Sequence, residues 1–537
     1  MHLAVLVIFD QLRGDYLSRW DELFGKDGFH RLEHEGAWFQ NCHYSYSNTL
    51  TGAGHASLAT GTWPAKHGII GNEWYDRSEG DVVYCAALPR YQRVPPYDPT
   101  DKGKASAKQS RSGAPDRLLS QTLADVVKLA GGKVVSLSLK DRGAVLPGGR
   151  KPDACYWFDT DSGLFVTSTY YRDRVHPWIE EFNRGRPANF WFSRDWRRLR
   201  PDLDYAKYSG PDDVAGEGTG IKKAQGRIFP HPMTGGGQQP GKDYYDTLYT
   251  SPFGNNLLLD LVGRALDAEK LGTGTTRDLL CLSFSSNDPI GHVWGPDSQE
   301  VLDMTLRTDL VVKTLLNLLD TRVGKGRYIL ALSADHGVCP LPEVSRAQGR
   351  EARRLDPAQM RKEAEAFLTE RFGPKGTGPA PWFEKAPESN NWYLHQATLR
   401  AAAVGQPRVE EVLADWLLKQ PGIQAVYTRS QLRDGVLQDD ALGQSVKRTF
   451  HPERSGDVQI ILKPYHLMDT YQTGTTHGTP HAYDTHVPLL VYGPGIRPGP
   501  RREAIIPQAA AVILAHGLGV HPPADAEISV PEKLFEE

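Results

Sequence analysis

Leu3-Ala4-Val5-Leu6-Val7-Ile8-Phe9, followed at once by Asp10-Gln11, is an unbroken apolar run closed by a carboxylate and an amide. A run without polar alternation suits a strand buried on both faces, as in a parallel sheet covered by helices, and the carboxyl ends of such strands are where ligands gather. The form recurs at residues 133–139, ending at Lys140-Asp141-Arg142, at 279–285, ending near Asp288, and at 328–333, ending at Asp335-His336. Helical patterns alternate with these strands at 116–130, 256–271 and 298–323. The alternation predicts an α/β fold with a mostly parallel central sheet and helices on both faces.

Two stretches break the alternation. Residues 155–250, rich in Trp, Tyr, Arg, Pro and Gly, read as a cap inserted beside the sheet, because so many aromatics need burial. Residues 341–455 carry helical patterns at 356–372 and 409–419 with strand-like 391–395 and 423–428, and read as a small α+β insertion. The core then comprises 1–154, 251–340 and 456–537. It resumes with 457–462, the segment 474–486 and a strand at 487–492, and it closes on a helix at 508–516.

A chain of 537 residues can bury a large core. Lys and Arg (62) nearly balance Asp and Glu (65), so no global basic field argues for nucleic acid or an anionic membrane, and any anion recognition must be local. No apolar run reaches the roughly 18 residues of a transmembrane helix. The first nine residues lack a basic start and a small-residue cleavage site, which leaves the compartment open. The five cysteines show no metal-site or disulfide-framework spacing; Cys281 reads as core, and a lone Cys85 to Cys155 bridge stays possible.

From Ser47 to Asn72 the chain reads SNTLTGAGHASLATGTWPAKHGIIGN. Thr51 falls where a loop enters a helix, so unpaired backbone N–H groups and the positive end of the helix dipole converge on its hydroxyl and favour an anion. A plain N-cap is the other reading. Taken with Asp10, Asp288, His292, Asp335, His336 and His477, Thr51 completes a set of carboxylates, imidazoles and a hydroxyl. Mixed N/O donors without thiolate suit zinc best, with manganese or iron next. Asp288 and His292 are four apart, so one helical turn can aim both at one ion, and Gly337 permits the sharp turn that adjacent Asp335 and His336 need. Singly, Asp288 is also a cap, Asp335-His336-Gly337 a strand-end turn, and His477 a loop residue. His55 and His67 are not counted as ligands; both can support the loop by hydrogen bonding.

Ile8-Phe9-Asp10-Gln11-Leu12-Arg13, Thr51-Gly52-Ala53-Gly54-His55, His67-Gly68-Ile69-Ile70-Gly71-Asn72, Lys140-Asp141-Arg142, Asp288-Pro289-Ile290-Gly291-His292, Ser333-Ala334-Asp335-His336-Gly337 and Thr476-His477-Gly478 occur in this order. The ordered set resembles the alkaline phosphatase superfamily and, within it, the bacterial threonine-nucleophile phosphate monoesterases of the PafA type, across the whole inferred core. The resemblance implies two zinc ions per chain, one held by Asp10, Thr51, Asp335 and His336, the other by Asp288, His292 and His477. His486 competes with His477 and ranks behind it, because His-Gly is the family's usual ligand context. The resemblance further implies that Thr51 is the nucleophile of a phosphothreonine intermediate and that the protein is a periplasmic or secreted enzyme; a cytoplasmic one stays open.

Asn72, Lys140 and Arg142 supply the amide and cationic donors that a dianionic phosphoryl group needs, so small-molecule phosphate monoesters are the expected substrates and inorganic phosphate the product. The alternatives are a phosphodiesterase/nucleotide pyrophosphatase or phosphonate hydrolase of the same fold, and a non-catalytic zinc or phosphate-binding protein. A sulfatase fits poorly, since Thr51-Gly52-Ala53-Gly54-His55 is not a Cys/Ser-x-Pro-x-Arg motif. The oligomeric state is open.

Overall fold

The computed structural model describes residues 1–96, 112–373, 381–385, 390–435 and 440–536. Its centre is a ten-stranded sheet. In chain order the strands are β1 (Leu3–Phe9), β2 (Ala37–Phe39), β3 (Arg93–Val94), β4 (Val134–Ser138), β5 (Ala154–Asp159), β6 (Leu164–Ser168), β7 (Asp278–Phe284), β8 (Tyr328–Ser333), β9 (Leu489–Tyr492) and β10 (Gly499–Arg501). Across the sheet they run β10-β2-β9-β8-β1-β7-β4-β5-β6-β3. The five central strands, β8, β1, β7, β4 and β5, are mutually parallel, while β9 and β6 turn antiparallel at the two sides.

Every residue of β1, β4, β7 and β8 is buried, as their largely apolar composition requires of strands covered on both faces. Helices Thr51–Thr60, Asp141–Gly148 and Ala509–Leu518 pack in one group. Helices Pro252–Glu269 and Gln299–Leu319 pack in another. The fold is therefore the expected α/β one, with a mostly parallel sheet between helical layers.

Several local expectations shift. The helix expected over 116–130 is confined to Leu123–Leu129, because Thr122 and Asp125 form a reciprocal capping box that fixes its start. Most of β5 and all of β6 fall in the stretch expected as a cap from residue 155, so its first part is sheet, not cap. Further along that stretch, Trp191, Trp196, Tyr205 and Tyr244 are buried in the main core, and Trp196 Nε1 and Tyr205 Oη donate to Asp303 of helix Gln299–Leu319 at 2.7 and 2.6 Å.

Residues 457–462, expected to resume the core, do not join the central sheet. Val458–Leu462 is instead the middle of a separate three-stranded sheet with Asn391–Trp392 and Ile423–Thr428, packed on helices Pro357–Phe372 and Gln406–Leu417. The cysteines are all buried and unbridged, so Cys85 and Cys155 are separate core thiols. Among the described residues no helix is long and apolar enough to cross a membrane.

Candidate active site

The carboxyl ends of β1, β4, β7 and β8 are neighbours in the sheet, and the polar clusters that follow them therefore converge. Asp10 follows β1, Lys140 follows β4, Asp288 and His292 lie on the helix Asn287–Trp294 after β7, and Asp335 and His336 follow β8. His477 arrives on the segment before β9. Thr51 is the first residue of its helix, behind an extended Leu50 that offers no side-chain cap, so the hydroxyl is not consumed by capping. The helix lies directly on Asp335: a Cβ on Gly54 would stand 2.2 Å from the Asp335 carbonyl oxygen, so only glycine admits this approach. Gly337 is needed for a similar reason rather than for the turn expected of it, since a Cβ there would meet the Tyr483 carbonyl oxygen at 2.1 Å.

Three imidazoles share one orientation. Nδ1 of His292, His336 and His477 faces the carbonyl oxygen of Thr475, Gly337 and Thr49 at 2.7, 2.9 and 2.8 Å. A carbonyl only accepts, so Nδ1 carries the proton in each ring and Nε2 presents a lone pair. Those lone pairs face carboxylates. His292 Nε2 and His477 Nε2 lie 3.1 and 3.7 Å from Asp288 Oδ1, while His336 Nε2 lies 3.5 Å from Asp10 Oδ1 and Asp335 Oδ2. Both oxygens are buried; Asp10 Oδ1 has no hydrogen-bond partner among the described residues, and beside Asp335 Oδ2 stands His55 Nδ1 at 3.1 Å. Lone pairs facing lone pairs in a dry interior repel unless a cation stands between them, and a cation with nitrogen and oxygen ligands fits this donor set. Asp288, His292 and His477 form one group able to hold an ion, and Asp10, Asp288 and His336 another. The first group has the residues of one expected set; the second differs from the expected Asp10, Thr51, Asp335 and His336 in including Asp288, while Thr51 Oγ1 and Asp335 Oδ2 lie 3.3 and 3.5 Å from His336 Nε2. His486 is elsewhere: it stacks on His43 with ring centroids 4.6 Å apart, and its Nε2 contacts the Gln40 carbonyl oxygen.

Charge inside the cluster is partly balanced by Lys140, whose Nζ lies 2.6 Å from both Asp10 Oδ2 and Asp288 Oδ2. In this arrangement its ammonium binds carboxylates rather than pointing at Thr51. Burial raises the Asp10 carboxyl well above its usual range, with the nearby Asp335 adding to the rise. Burial would raise Asp288 too, but Lys140 and then His292 outweigh it and hold that carboxyl well below its usual range. Burial depresses His336 and His477, whereas the Asp288 charge overcomes burial and lifts His292.

Thr51 Oγ1 lies 3.3 Å from His336 Nε2, and Arg142 Nη2 lies 3.4 Å from Thr51 Oγ1. Arg142 Nη1 donates to Tyr84 Oη at 3.2 Å, and Tyr84 donates to Asp141 Oδ1 at 2.6 Å, so a tyrosine and a carboxylate hold the guanidinium beside the threonine. Asn72 Oδ1 accepts from Gly52 N at 2.8 Å, which fixes the amide one residue past Thr51. A cavity of about 530 Å³ opens beside these groups, with Lys140, Arg142 and Asp288 at one end and Trp157, Phe158 and Tyr249 among its walls.

Four contributors lay outside the expected set. Gln11, in the left-handed region at φ 66°, donates its backbone N–H to Asp335 Oδ1 at 3.1 Å and its amide to Asp288 Oδ1 at 2.7 Å, tying β1 to both neighbouring clusters. His55 Nδ1 lies 3.1 Å from Asp335 Oδ2. Tyr84 and Asp141 orient Arg142. Gln11 and Asp141 carried a sequence signal through adjacency to a strand-end residue, and His55 through its place one helical turn after Thr51; Tyr84 reaches the site through the hairpin of Glu73–Asp76 and Asp81–Tyr84, which nothing local connects to Arg142.

Residues 4–484 match the model of the type I phosphodiesterase/nucleotide pyrophosphatase family. Alkaline phosphatase PafA of Elizabethkingia meningoseptica is 34% identical over 93% of this chain and 88% of its own. Alkaline phosphatase PhoV of Synechococcus elongatus is 33% identical over 93% and 86%. Crystal structures of PafA, as wild type and as a variant changed at one Thr, one Asn, one Lys and one Arg, superpose with TM-scores of 0.88 and 0.89 at 32% and 31% identity, covering 99% and 100% of this chain and 98% and 99% of theirs. The chain belongs to the type I phosphodiesterase/nucleotide pyrophosphatase family and is an enzyme of the alkaline phosphatase type.

Proposed function

We propose that the protein is a di-zinc phosphate monoester hydrolase that works through a phosphothreonine on Thr51. The observation that carries the reading is the common orientation of His292, His336 and His477, with Nε2 lone pairs turned onto buried carboxylate oxygens beside a threonine hydroxyl and an arginine. Asp10, Asp335, His336 and Thr51 would hold one ion, and Asp288, His292 and His477 the other. When bound, the two ions would supply the positive charge that lets a threonine hydroxyl ionise near neutral pH and that offsets charge on the leaving oxygen.

The chain's own groups then divide the work. Thr51 Oγ, at the positive end of its helix, attacks phosphorus; the P–O bond to the alcohol breaks, and the alcohol leaves on the opposite side. Arg142, held by Tyr84, donates to the phosphoryl oxygens, as does the Asn72 amide. Lys140 counters the negative charge of Asp10 and Asp288. Water then attacks the phosphothreonine and releases inorganic phosphate. The Thr, Asn, Lys and Arg of the PafA variant support these assignments, since there too Thr and Asn are 21 positions apart and Lys and Arg two apart. A periplasmic or secreted setting follows the same kinship.

Substituting Thr51→Ala tests the covalent step. Turnover of an aryl phosphate should vanish while most bound zinc remains. Turnover at the wild-type rate would defeat the mechanism.

A further inference from the structure

On the helix Phe29–Glu35, His30 and Glu33 are three residues apart and so share one face, and that face meets Asp21 of the turn Asp21–Leu23. One ligand atom from each of Asp21, His30 and Glu33 lies within 4.8 Å of the other two. His30 Nε2 is 3.0 Å from Asp21 Oδ1. Two ligands of one tetrahedral ion, at about 2.0–2.1 Å from it, stand about 3.3 Å apart, so this pair already has nearly the spacing of a shared ion. Glu33 is the independent observation: it is only 4% exposed, and its Oε1 is buried with no hydrogen-bond partner among the described residues. A carboxylate taken out of water without a partner is costly unless a proton or a cation joins it.

We propose that Asp21, His30 and Glu33 form a third metal site, separate from the active site, that takes a zinc-class divalent cation. One imidazole and two carboxylates without thiolate are the donor set such an ion accepts, with water in the fourth position. The ion would fasten the turn Asp21–Leu23 to the helix Phe29–Glu35. The intervening loop is already anchored at its other side, where Asp309 accepts from Gly25 N at 2.9 Å and Phe29 N at 2.7 Å.

The test is zinc content after loading and gel filtration in metal-free buffer, for the full chain and for Glu33→Gln and His30→Ala. Each variant should carry one zinc fewer than wild type, keep its turnover of an aryl phosphate, and gain less in Tm when zinc is returned to chelated protein. If Glu33→Gln does not fold, His30→Ala, at a part-exposed position, decides alone. Equal zinc content in wild type and variants would overturn the site. The comparison is a difference between chains, so it holds whatever number of ions the active site takes.

Discussion

Arg142→Ala isolates the feature that should set monoesters apart from diesters. The guanidinium is held by Tyr84 with Nη2 3.4 Å from the Thr51 hydroxyl, so two N–H groups can reach the oxygens of a phosphoryl group on that hydroxyl. Hydrogen bonds to charged groups contribute about 1.5–3 kcal/mol each, so losing two removes about 3–6 kcal/mol. That is a fall of about 10² to 10⁴ in kcat/KM on an aryl phosphate monoester. A diester has one charged oxygen fewer and can use only one of the two bonds, so its fall should be about 10 to 10². Arg142 is not among the metal-ligating side chains, and zinc content should therefore stay at the wild-type level, which separates lost recognition from a lost metal. The assay is kcat/KM for an aryl phosphate and a bis-aryl phosphate on the same zinc-loaded preparation. Equal losses on both substrates, or no loss on the monoester, would refute this role.

Three further outcomes follow from the geometry. Tyr84→Phe removes the acceptor for Arg142 and the donor to Asp141; leaving such groups unpaired costs about 1–3 kcal/mol, so monoester kcat/KM should drop about 5- to 150-fold with zinc content unchanged, and an unaltered rate would exclude the orienting role. Gly54→Ala places a Cβ 2.2 Å from the Asp335 carbonyl oxygen; overpacking of this kind costs about 1–3 kcal/mol or more, and a lowered Tm with weakened zinc retention is expected, while a variant as stable as wild type would contradict the close helix approach. Asp484, raised by burial to about 7, has a folded pKa above the unfolded value of about 3.9. Its contribution to stability is therefore full below about pH 4, declines as pH rises to about 7 and is level beyond. Asp484→Asn should remove that part of the slope in denaturant titrations at several pH values; an unchanged slope would assign it to other groups.

What the sequence disclosed was what local pattern encodes. Leu3–Phe9 is apolar throughout and its parallel neighbours are mostly so because both of their faces are covered, so the sheet centre could be read from composition. Thr51, Asp288 with His292, and Asp335-His336 stood out because strand ends and helix starts are where chemistry sits. Partner choice was hidden. Val458–Leu462 has the composition of any buried strand, and nothing in it says that it pairs with Ile423–Thr428 instead of the central sheet. Local periodicity over 116–130 ran past the helix start that the Thr122 and Asp125 bonds fix. The three carbonyls that set the imidazole tautomers belong to Thr49, Gly337 and Thr475, and two of those contacts span more than 180 residues. Tyr84 is invisible for the same reason, since its value lies in reaching Asp141 and Arg142 across 57 and 58 positions.

Cations are expected to stand between the histidine lone pairs and the buried carboxylates. Anomalous diffraction at the zinc absorption edge from crystals of the zinc-loaded protein tests this directly. Two peaks should appear beside the Thr51 hydroxyl, one bounded by Asp288, His292 and His477 and the other by Asp10, Asp335 and His336. A single peak there, or none, would contradict the account.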